Sequence, residues 1–151
     1  MNTSTDDFSR LIQKASFLGN VSLFAGFSPD YLAGLAEIVR SENLPRGGRL
    51  FKQGDFADCL YIVREGKIRI SIDSKTIVDL GRFECIGELA VFGEPVRSAT
   101  ATAVTDAVLV RISAGDFKNL LTLHPGMSLA LMRTLAQRLK LRESAQYSAI
   151  P

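Results

Sequence analysis

The sequence has very few of the residues from which metal centres and acid–base sites are built. It contains a single histidine, His124, so neither a histidine-rich metal site nor a histidine-dependent phosphodiesterase can be assembled from it. Its two cysteines, Cys59 and Cys85, lack the CxxC spacing of a metal or redox motif. We interpret them as free thiols in a reducing cytoplasm. These shortages argue against an enzyme, and they predict neither a bound metal nor a resident cofactor.

A long apolar run and an excess of one charge are also missing. No apolar stretch approaches the roughly 20 residues of a membrane-spanning helix, and the polar start, MNTSTDDFSR, is unlike a signal peptide. The net charge is +2, from 18 basic and 16 acidic residues. That balance gives no general electrostatic reason to expect nucleic acid or an anionic membrane as a partner. We therefore expect a cytoplasmic protein without a membrane span.

The hydrophobic pattern changes its period twice along the chain. A short helix is expected after Asp6 or Asp7, and a second one from Pro29 to about residue 40, capped by Ser28. After residue 45, turn residues recur roughly every 8 to 12 positions and KIRISID alternates strictly, which is typical of antiparallel strands. The helical period returns at Ser113. This order predicts an α+β fold: an antiparallel, jelly-roll-like β-roll flanked by N-terminal helices and a C-terminal helix pair.

The most informative stretch is residues 86–103, IGELAVFGEPVRSATATA, which is apolar and small-residue-rich apart from a few polar side chains, among them Glu88 and Arg97. Gly87 permits a turn, and one helical turn after it would offer N–H groups to an anion. If the chain turns back, Arg97 lies beside those N–H groups and can bind a phosphate with its planar guanidinium. The Glu88 carboxylate would be repelled by a phosphate, so it suits a sugar hydroxyl. These residues describe a pocket for a singly charged ribose phosphate. A Glu88–Arg97 ion pair, or two side chains in solvent, fits the same residues.

This stretch resembles the phosphate-binding cassette of the cyclic-nucleotide-binding domain family. That cassette reads Gly-Glu-(Leu/Met)-Ala, a short turn with Pro, then Arg-(Ala/Ser/Thr)-Ala-(Thr/Ser). The resemblance covers about residues 17–142, because Gly54–Asp55 before an apolar strand and the flanking helices also fit the family. It implies a ligand site made of seven residues: Gly87, Glu88, Leu89, Ala90, Arg97, Ser98 and Ala99.

The resemblance also implies a role for the individual residues of this site. Glu88, helped by the Gly87 backbone, would bind the ribose 2′-hydroxyl, and Arg97 would bind the cyclic phosphate. The backbone N–H groups of Ala90 and Ser98, together with the Ser98 hydroxyl, would complete the phosphate shell. The base would lie between apolar residues of the roll and the last helix, which acts as a lid in this family.

The lid residue is not fixed by the family pattern, and two positions depart from it. Arg138 and Leu141 are the candidates for the lid residue that caps the base. Phe83 stands where the family commonly has a glycine ahead of the cassette, so either the turn is altered or Phe83 packs outward. Val96 separates Pro95 from the cassette arginine, whereas many members place proline directly before it.

The family resemblance implies a stand-alone cytosolic receptor for a cyclic nucleotide, in which ligand binding moves the lid helix and so signals to a protein partner. We divide the chain into an N-terminal tail and short helix (1–16), the cyclic-nucleotide-binding domain (17–145) and a C-terminal tail (146–151). Because too few residues follow the last helix to hold a recognition helix, we expect no direct DNA binding. A homodimer through the last helix stays open.

The choice of ligand and the alternative function remain open at this stage. We favour cAMP over cGMP, with Ser98 as the residue that bears on the choice, and a cyclic dinucleotide is a further option. The alternative function is a degenerate domain that keeps the fold and serves only to dock another protein.

Overall fold

Two antiparallel sheets of four strands each carry the fold in the computed structural model, which describes the backbone of residues 3–148 and the side chains of residues 6–145. The strands are β1 (Arg40–Leu44), β2 (Arg49–Phe51), β3 (Cys59–Glu65), β4 (Ile68–Ile72), β5 (Lys75–Leu80), β6 (Cys85–Ile86), β7 (Thr100–Ala103) and β8 (Ala107–Ser113). One sheet has the order β1-β8-β3-β6 and the other β2-β7-β4-β5. Sequential strands therefore alternate between the two sheets in several places, as in a jelly-roll-like β-roll.

Four α-helices flank the sheets within the described residues. They are α1 (Thr3–Leu18), α2 (Pro29–Ile38), α3 (Ala114–Leu123) and α4 (Pro125–Ser148). The predicted caps are present: the Ser28 hydroxyl accepts a hydrogen bond from the Tyr31 N–H at 3.3 Å, and that of Ser113 from the Asp116 N–H at 3.4 Å. The predicted α+β class, with helices on both sides of a β-roll, is confirmed. No described helix is long and apolar enough to cross a bilayer.

The first helix is longer than the sequence suggested. It begins at Thr3, so Asp6 lies inside the first turn, where its charge favours the helix dipole, instead of capping the helix from outside. It ends at Leu18, which is fully buried. The predicted boundary between residues 16 and 17 thus falls inside α1. Residues 146–148 of the predicted C-terminal tail continue α4, and residues 149–151 lie outside the described part of the chain.

The strand β3 separates two hydrophobic clusters, which explains its uninterrupted apolar run CLYIV. Leu60 and Ile62 belong to a cluster shared with the helices, whereas Cys59, Tyr61 and Val63 belong to a cluster inside the roll. Because side chains alternate along a strand, both faces of β3 are covered and all five residues are buried. The neighbouring strand β8 is divided in the same way. This sheet is therefore covered on both faces at β3 and β8.

The strand predicted from KIRISID is β4, and its isoleucines lead from the core towards solvent. Ile68 is fully buried, Ile70 is half-buried and Ile72 is 37% exposed. β4 pairs with β5 through a two-residue turn at Asp73 and Ser74, both with positive φ, which suits the right-handed twist of a hairpin. This hairpin forms one wall of a cavity that is also lined by residues of the cassette.

Candidate functional site

A cavity of about 460 Å³ opens on the roll beside residues 87–99. All seven residues of the predicted site line it, so the fold brings the two halves of the cassette together. The volume lies within the range of small-molecule sites. Among the described residues, no group of three or more His, Cys, Asp or Glu side chains is arranged to hold a metal ion.

Arg97 lies at the bottom of this cavity and is only 6% exposed. Its Nη2 donates to the Cys59 carbonyl at 2.8 Å and contacts the Cys59 Sγ at 3.4 Å, and its Nη1 donates to the Gly87 carbonyl at 3.5 Å. The guanidinium lies over the Phe51 ring, 4.1 Å from its centroid. The chain therefore does return from the cassette turn to Gly87, and the guanidinium is held from two sides.

The backbone of Arg97 is fixed by the Gly54–Asp55 turn. The Arg97 N–H donates to the Asp55 carbonyl and the Gly54 N–H donates to the Arg97 carbonyl, each at 2.8 Å. Gly54 has φ 92°, a left-handed conformation that favours glycine. The Asp55 carboxylate closes the turn by accepting a hydrogen bond from the Lys52 N–H at 2.9 Å. The Gly-Asp pair noted in the sequence thus serves to position the cassette arginine.

The positive charge of Arg97 has no acidic partner in the described part of the chain. The ion pairs there are Arg69–Asp79 and Arg111–Asp58, and Glu88 does not pair with Arg97. The Arg97 Nε is buried without a hydrogen-bond partner. A buried charge and a buried unsatisfied donor are both costly, and an anion in the cavity could offset both costs. Of the readings left open by the sequence, the ion pair and the fully solvated arginine are excluded.

Gly87 makes room for that arginine. Its φ is 73°, and a Cβ at this position would collide with the Arg97 Nη1. After it, Glu88–Ala90 form the expected single helical turn, of the 3₁₀ type. The Ala90 N–H, one of the predicted phosphate donors, is used in this turn as a donor to the Gly87 carbonyl at 3.2 Å. Ser98 is exposed at the rim of the cavity.

Glu88 is half-buried, and its negative charge acts on the Cys85 thiol. The pKa of the Cys85 thiol is raised to about 12, mainly by burial and in addition by the negative charge of Glu88, while the positive charge of Arg138 partly offsets the rise. Glu88 forms no ion pair within the described residues, so Arg97 is not its partner.

The opposite wall of the cavity consists of residues that the sequence analysis did not single out. Phe51, Ile70, Val78 and Leu80 line it from the strands, and Arg142 lines it from α4. The strict alternation of β4 was a usable signal for Ile70, because residues of one face share one surface. These residues offer a largely apolar surface and one arginine, a lining on which a flat aromatic base can pack.

The two predicted lid residues do not line the cavity in this structure. Arg138 Nη2 donates to the Ser22 hydroxyl at 2.7 Å, and Leu141 is 71% exposed. Their role in capping a base stays a prediction. Arg142, the neighbour of Leu141, is the α4 residue that reaches the cavity.

The backbone of Phe83 adopts the left-handed conformation that favours glycine, the residue expected at this position. Its φ is 73°, and its backbone N–H donates to the Val63 carbonyl at 2.8 Å. Its ring leaves the roll and packs on Phe17 of α1, with ring centroids 5.2 Å apart. The turn is therefore retained with an unfavourable residue, and the side chain packs outward.

Comparison with known proteins agrees with this geometry. A family model described as the cyclic nucleotide-binding domain matches residues 41–124, more than half of the chain. The N-terminal domain of a transcriptional regulator from Streptomyces coelicolor A3(2) is 34% identical with a TM-score of 0.78, over 85% of this chain and 96% of that one. The Catabolite Activator Protein of Thermus thermophilus is 30% identical with a TM-score of 0.69, over 83% of this chain and 61% of that one.

A curated relative extends the likeness to longer proteins. The CRP-like cAMP-activated global transcriptional regulator of Mycobacterium tuberculosis is 28% identical over 128 residues, which are 82% of this chain and 57% of that protein. The chain thus spans little more than half the length of this relative, and the expectation that it does not bind DNA stays a prediction. With a matching family model and an overlapping structure at 34% identity, the chain belongs to the cyclic nucleotide-binding domain family.

Proposed function

We propose that this chain is a cytoplasmic receptor module that binds a cyclic nucleotide in the cavity around Arg97 and reports its presence to a partner protein through α4. The observation that carries the proposal is the buried Arg97 guanidinium, which faces the cavity without an acidic partner among the described residues and with an orphaned Nε. The cost of burying this charge is offset when a phosphate enters. Residues 17–145 form the domain in this proposal.

The residues of the cavity suit the three parts of a cyclic nucleotide. Arg97 would donate to the singly charged cyclic phosphate, with the backbone of Ala90 and Ser98 beside it. Glu88 would accept a hydrogen bond from the ribose 2′-hydroxyl, which carries no charge to repel it. Leu89 and Ala99 leave the backbone near the ligand accessible. The base would lie against Ile70, Val78 and Leu80.

The lid function falls to α4 in this proposal. Arg142 would stack its guanidinium on the base, because that planar group packs on aromatic faces. Arg138 and Leu141 would reach the ligand only if α4 moves, since Arg138 is bonded to Ser22 and Leu141 is exposed. A ligand that contacts α4 in one position better than in another shifts the helix towards that position, and this shift is the signal.

We favour cAMP as the ligand. The Mycobacterium tuberculosis relative is described as cAMP-activated, and it overlaps 82% of this chain. The cavity carries one buried cation, which matches the single negative charge of a cyclic mononucleotide better than the two charges of a cyclic dinucleotide. The module acts by binding, and we assign no catalytic role to any of its residues.

Calorimetric titration with cAMP, cGMP and a cyclic dinucleotide in parallel tests this function. We expect micromolar or tighter binding of cAMP by the wild type and its loss in Arg97→Ala. Arg69→Ala is the matched control, because Arg69 is exposed, is paired with Asp79 and does not line the cavity. If the folded wild type binds none of the three nucleotides, the proposal is wrong.

The same samples distinguish the alternative of a degenerate docking domain. A ligand at 100 times its dissociation constant stabilises the folded state by about 2.7 kcal/mol. We therefore expect the melting temperature to rise with saturating cAMP. An unchanged melting temperature with all three nucleotides would favour a domain that only docks another protein.

A further inference from the structure

A second and larger cavity, of about 670 Å³, lies between α1 and the sheet that contains β3 and β8. We call it the basic groove and define it by six of its residues. Arg10 and Lys14 line it from α1, Arg64 from β3, and Arg82 from the turn between β5 and β6. Phe17 and Phe83 contribute to its floor. None of the cassette residues takes part in it.

The charge of the basic groove is of one sign. Four of its lining residues are cations, and none is an aspartate or a glutamate. All four cations are exposed, and none of them forms an ion pair within the described residues. Glu84, in the same turn as Arg82, uses its carboxylate to accept a hydrogen bond from the Gly81 N–H at 2.6 Å. Like charges brought together around one groove attract an anionic partner.

The floor of the basic groove is aromatic and rigidly held. The Phe17 and Phe83 rings lie 5.2 Å apart, and the Arg82 guanidinium lies 4.7 Å above the Phe83 ring. The backbone around Phe83 is tied to Val63 by two hydrogen bonds, from the Phe83 N–H at 2.8 Å and to the Glu84 carbonyl at 3.0 Å. A preformed apolar floor between cations can hold a large apolar side chain without a further ordering cost.

We propose that the basic groove binds an acidic segment of a partner protein that carries a large apolar residue between its carboxylates. This segment would belong to the partner protein that the proposed receptor function requires, so the inference rests on that function. Two features favour a peptide over other anions. Exposed cations around a rim are typical of protein interfaces, whereas a site for a small phosphate buries its cation, as Arg97 is buried. A flat bilayer surface cannot reach a concave floor.

The test uses the whole chain and a fluorescent peptide of about ten residues that alternates glutamate with leucine. We expect saturable binding, followed by fluorescence anisotropy, that weakens by about tenfold or more in Lys14→Glu and in Arg82→Glu. Both residues are exposed, so the substitutions leave the core intact. Lys75→Glu is the matched control, since it reverses an exposed cation on β5 outside the groove, and it should bind like the wild type. Raising the salt concentration from roughly 50 to 500 mM should also weaken binding.

Several results would overturn the proposal. These are absence of peptide binding, equal losses in Lys75→Glu and Arg82→Glu, equal binding of a peptide with glutamine in place of glutamate, and binding of phosphatidylserine vesicles without binding of the peptide. Titration of the same samples with cAMP separates this proposal from the proposed function. Peptide binding without cAMP binding overturns the receptor function and leaves the groove, and cAMP binding without peptide binding does the reverse.

Discussion

The two cavities of this molecule handle positive charge in opposite ways. In the cavity around Arg97, the nucleotide cavity of the proposed function, the one buried cation is Arg97, which is 6% exposed, stacked on Phe51 and held by the carbonyls of Cys59 and Gly87. In the basic groove four cations are exposed and stand around an aromatic floor. Salt screens a buried cation only weakly, and its fixed position restricts the geometry of an anion that can bind it. Exposed cations are screened by salt and can bind anions in several geometries. The first arrangement therefore suits one small anion, as the proposed function requires, and the second suits the acidic segment that we propose for the groove.

We expect the largest effect from Arg97→Met, which replaces the buried cation by an apolar side chain of similar length. We expect cAMP affinity to fall by at least about a hundredfold, because removing one partner of a buried charge pair costs about 3–5 kcal/mol. The free energy of unfolding without ligand should stay within about 1 kcal/mol of the wild type or rise, because an unpaired buried charge is removed. Calorimetry and urea unfolding measure the two quantities. A variant that unfolds far more easily would show that Arg97 serves the core.

A second prediction tests the proposed contact to the ribose independently of the contact to the phosphate. We expect Glu88→Gln to weaken cAMP binding by roughly tenfold to a hundredfold, because a hydrogen bond to a charged group contributes about 1.5–3 kcal/mol. With 2′-deoxy-cAMP the wild type and the variant should bind equally, since the hydroxyl that Glu88 would accept from is missing. Arg82→Glu, in the basic groove, should change neither titration. If Glu88→Gln discriminates the deoxy ligand as strongly as the wild type does, Glu88 does not contact the ribose.

The smallest effect concerns the floor of the basic groove. At Phe83, with φ 73°, we expect glycine to be more stable than alanine by about 1 kcal/mol, because alanine keeps the left-handed strain. At Phe17, in α1, the ordinary order holds and alanine is the more stable. Thermal unfolding of the four variants measures this reversal. Both Phe83 variants should bind the acidic peptide more weakly and cAMP about as the wild type does. If alanine is the more stable residue at both positions, the Phe83 turn carries no strain.

Much of the fold and the cassette could be predicted because the signals are local. Ser28 and Ser113 cap helices through a hydroxyl that acts within three residues, and the cassette glycine and arginine lie within one short segment. The start of α1 was placed too late, because Asp6 favours a helix from inside its first turn as well as from its cap. Local rules therefore gave the order of the elements better than their exact limits.

The rest of the site depends on relations that a single sequence does not contain. Each residue of a helix turns by about 100°, so the neighbours Leu141 and Arg142 point in different directions, and of the two only Arg142 lines the cavity in this structure. Apolar residues occur on more than one face of α4: Leu131 is buried, whereas Leu129, two positions earlier and therefore on the opposite face, is exposed. The pattern therefore did not fix which face meets the roll. The basic groove was missed for a similar reason, since its cations come from α1, β3 and the turn before β6.

The contact between Gly87 and Arg97 has a consequence for how this domain can evolve. Because the Arg97 Nη1 occupies the space that a Cβ of residue 87 would need, no side chain can appear at 87 while the guanidinium stays in place. The positive φ of Gly87 adds a second penalty that persists even when the arginine is lost. The two positions are thus coupled: residue 87 must stay glycine while Arg97 keeps its place, and after a loss of Arg97 only the strain of the positive φ acts against a side chain at 87.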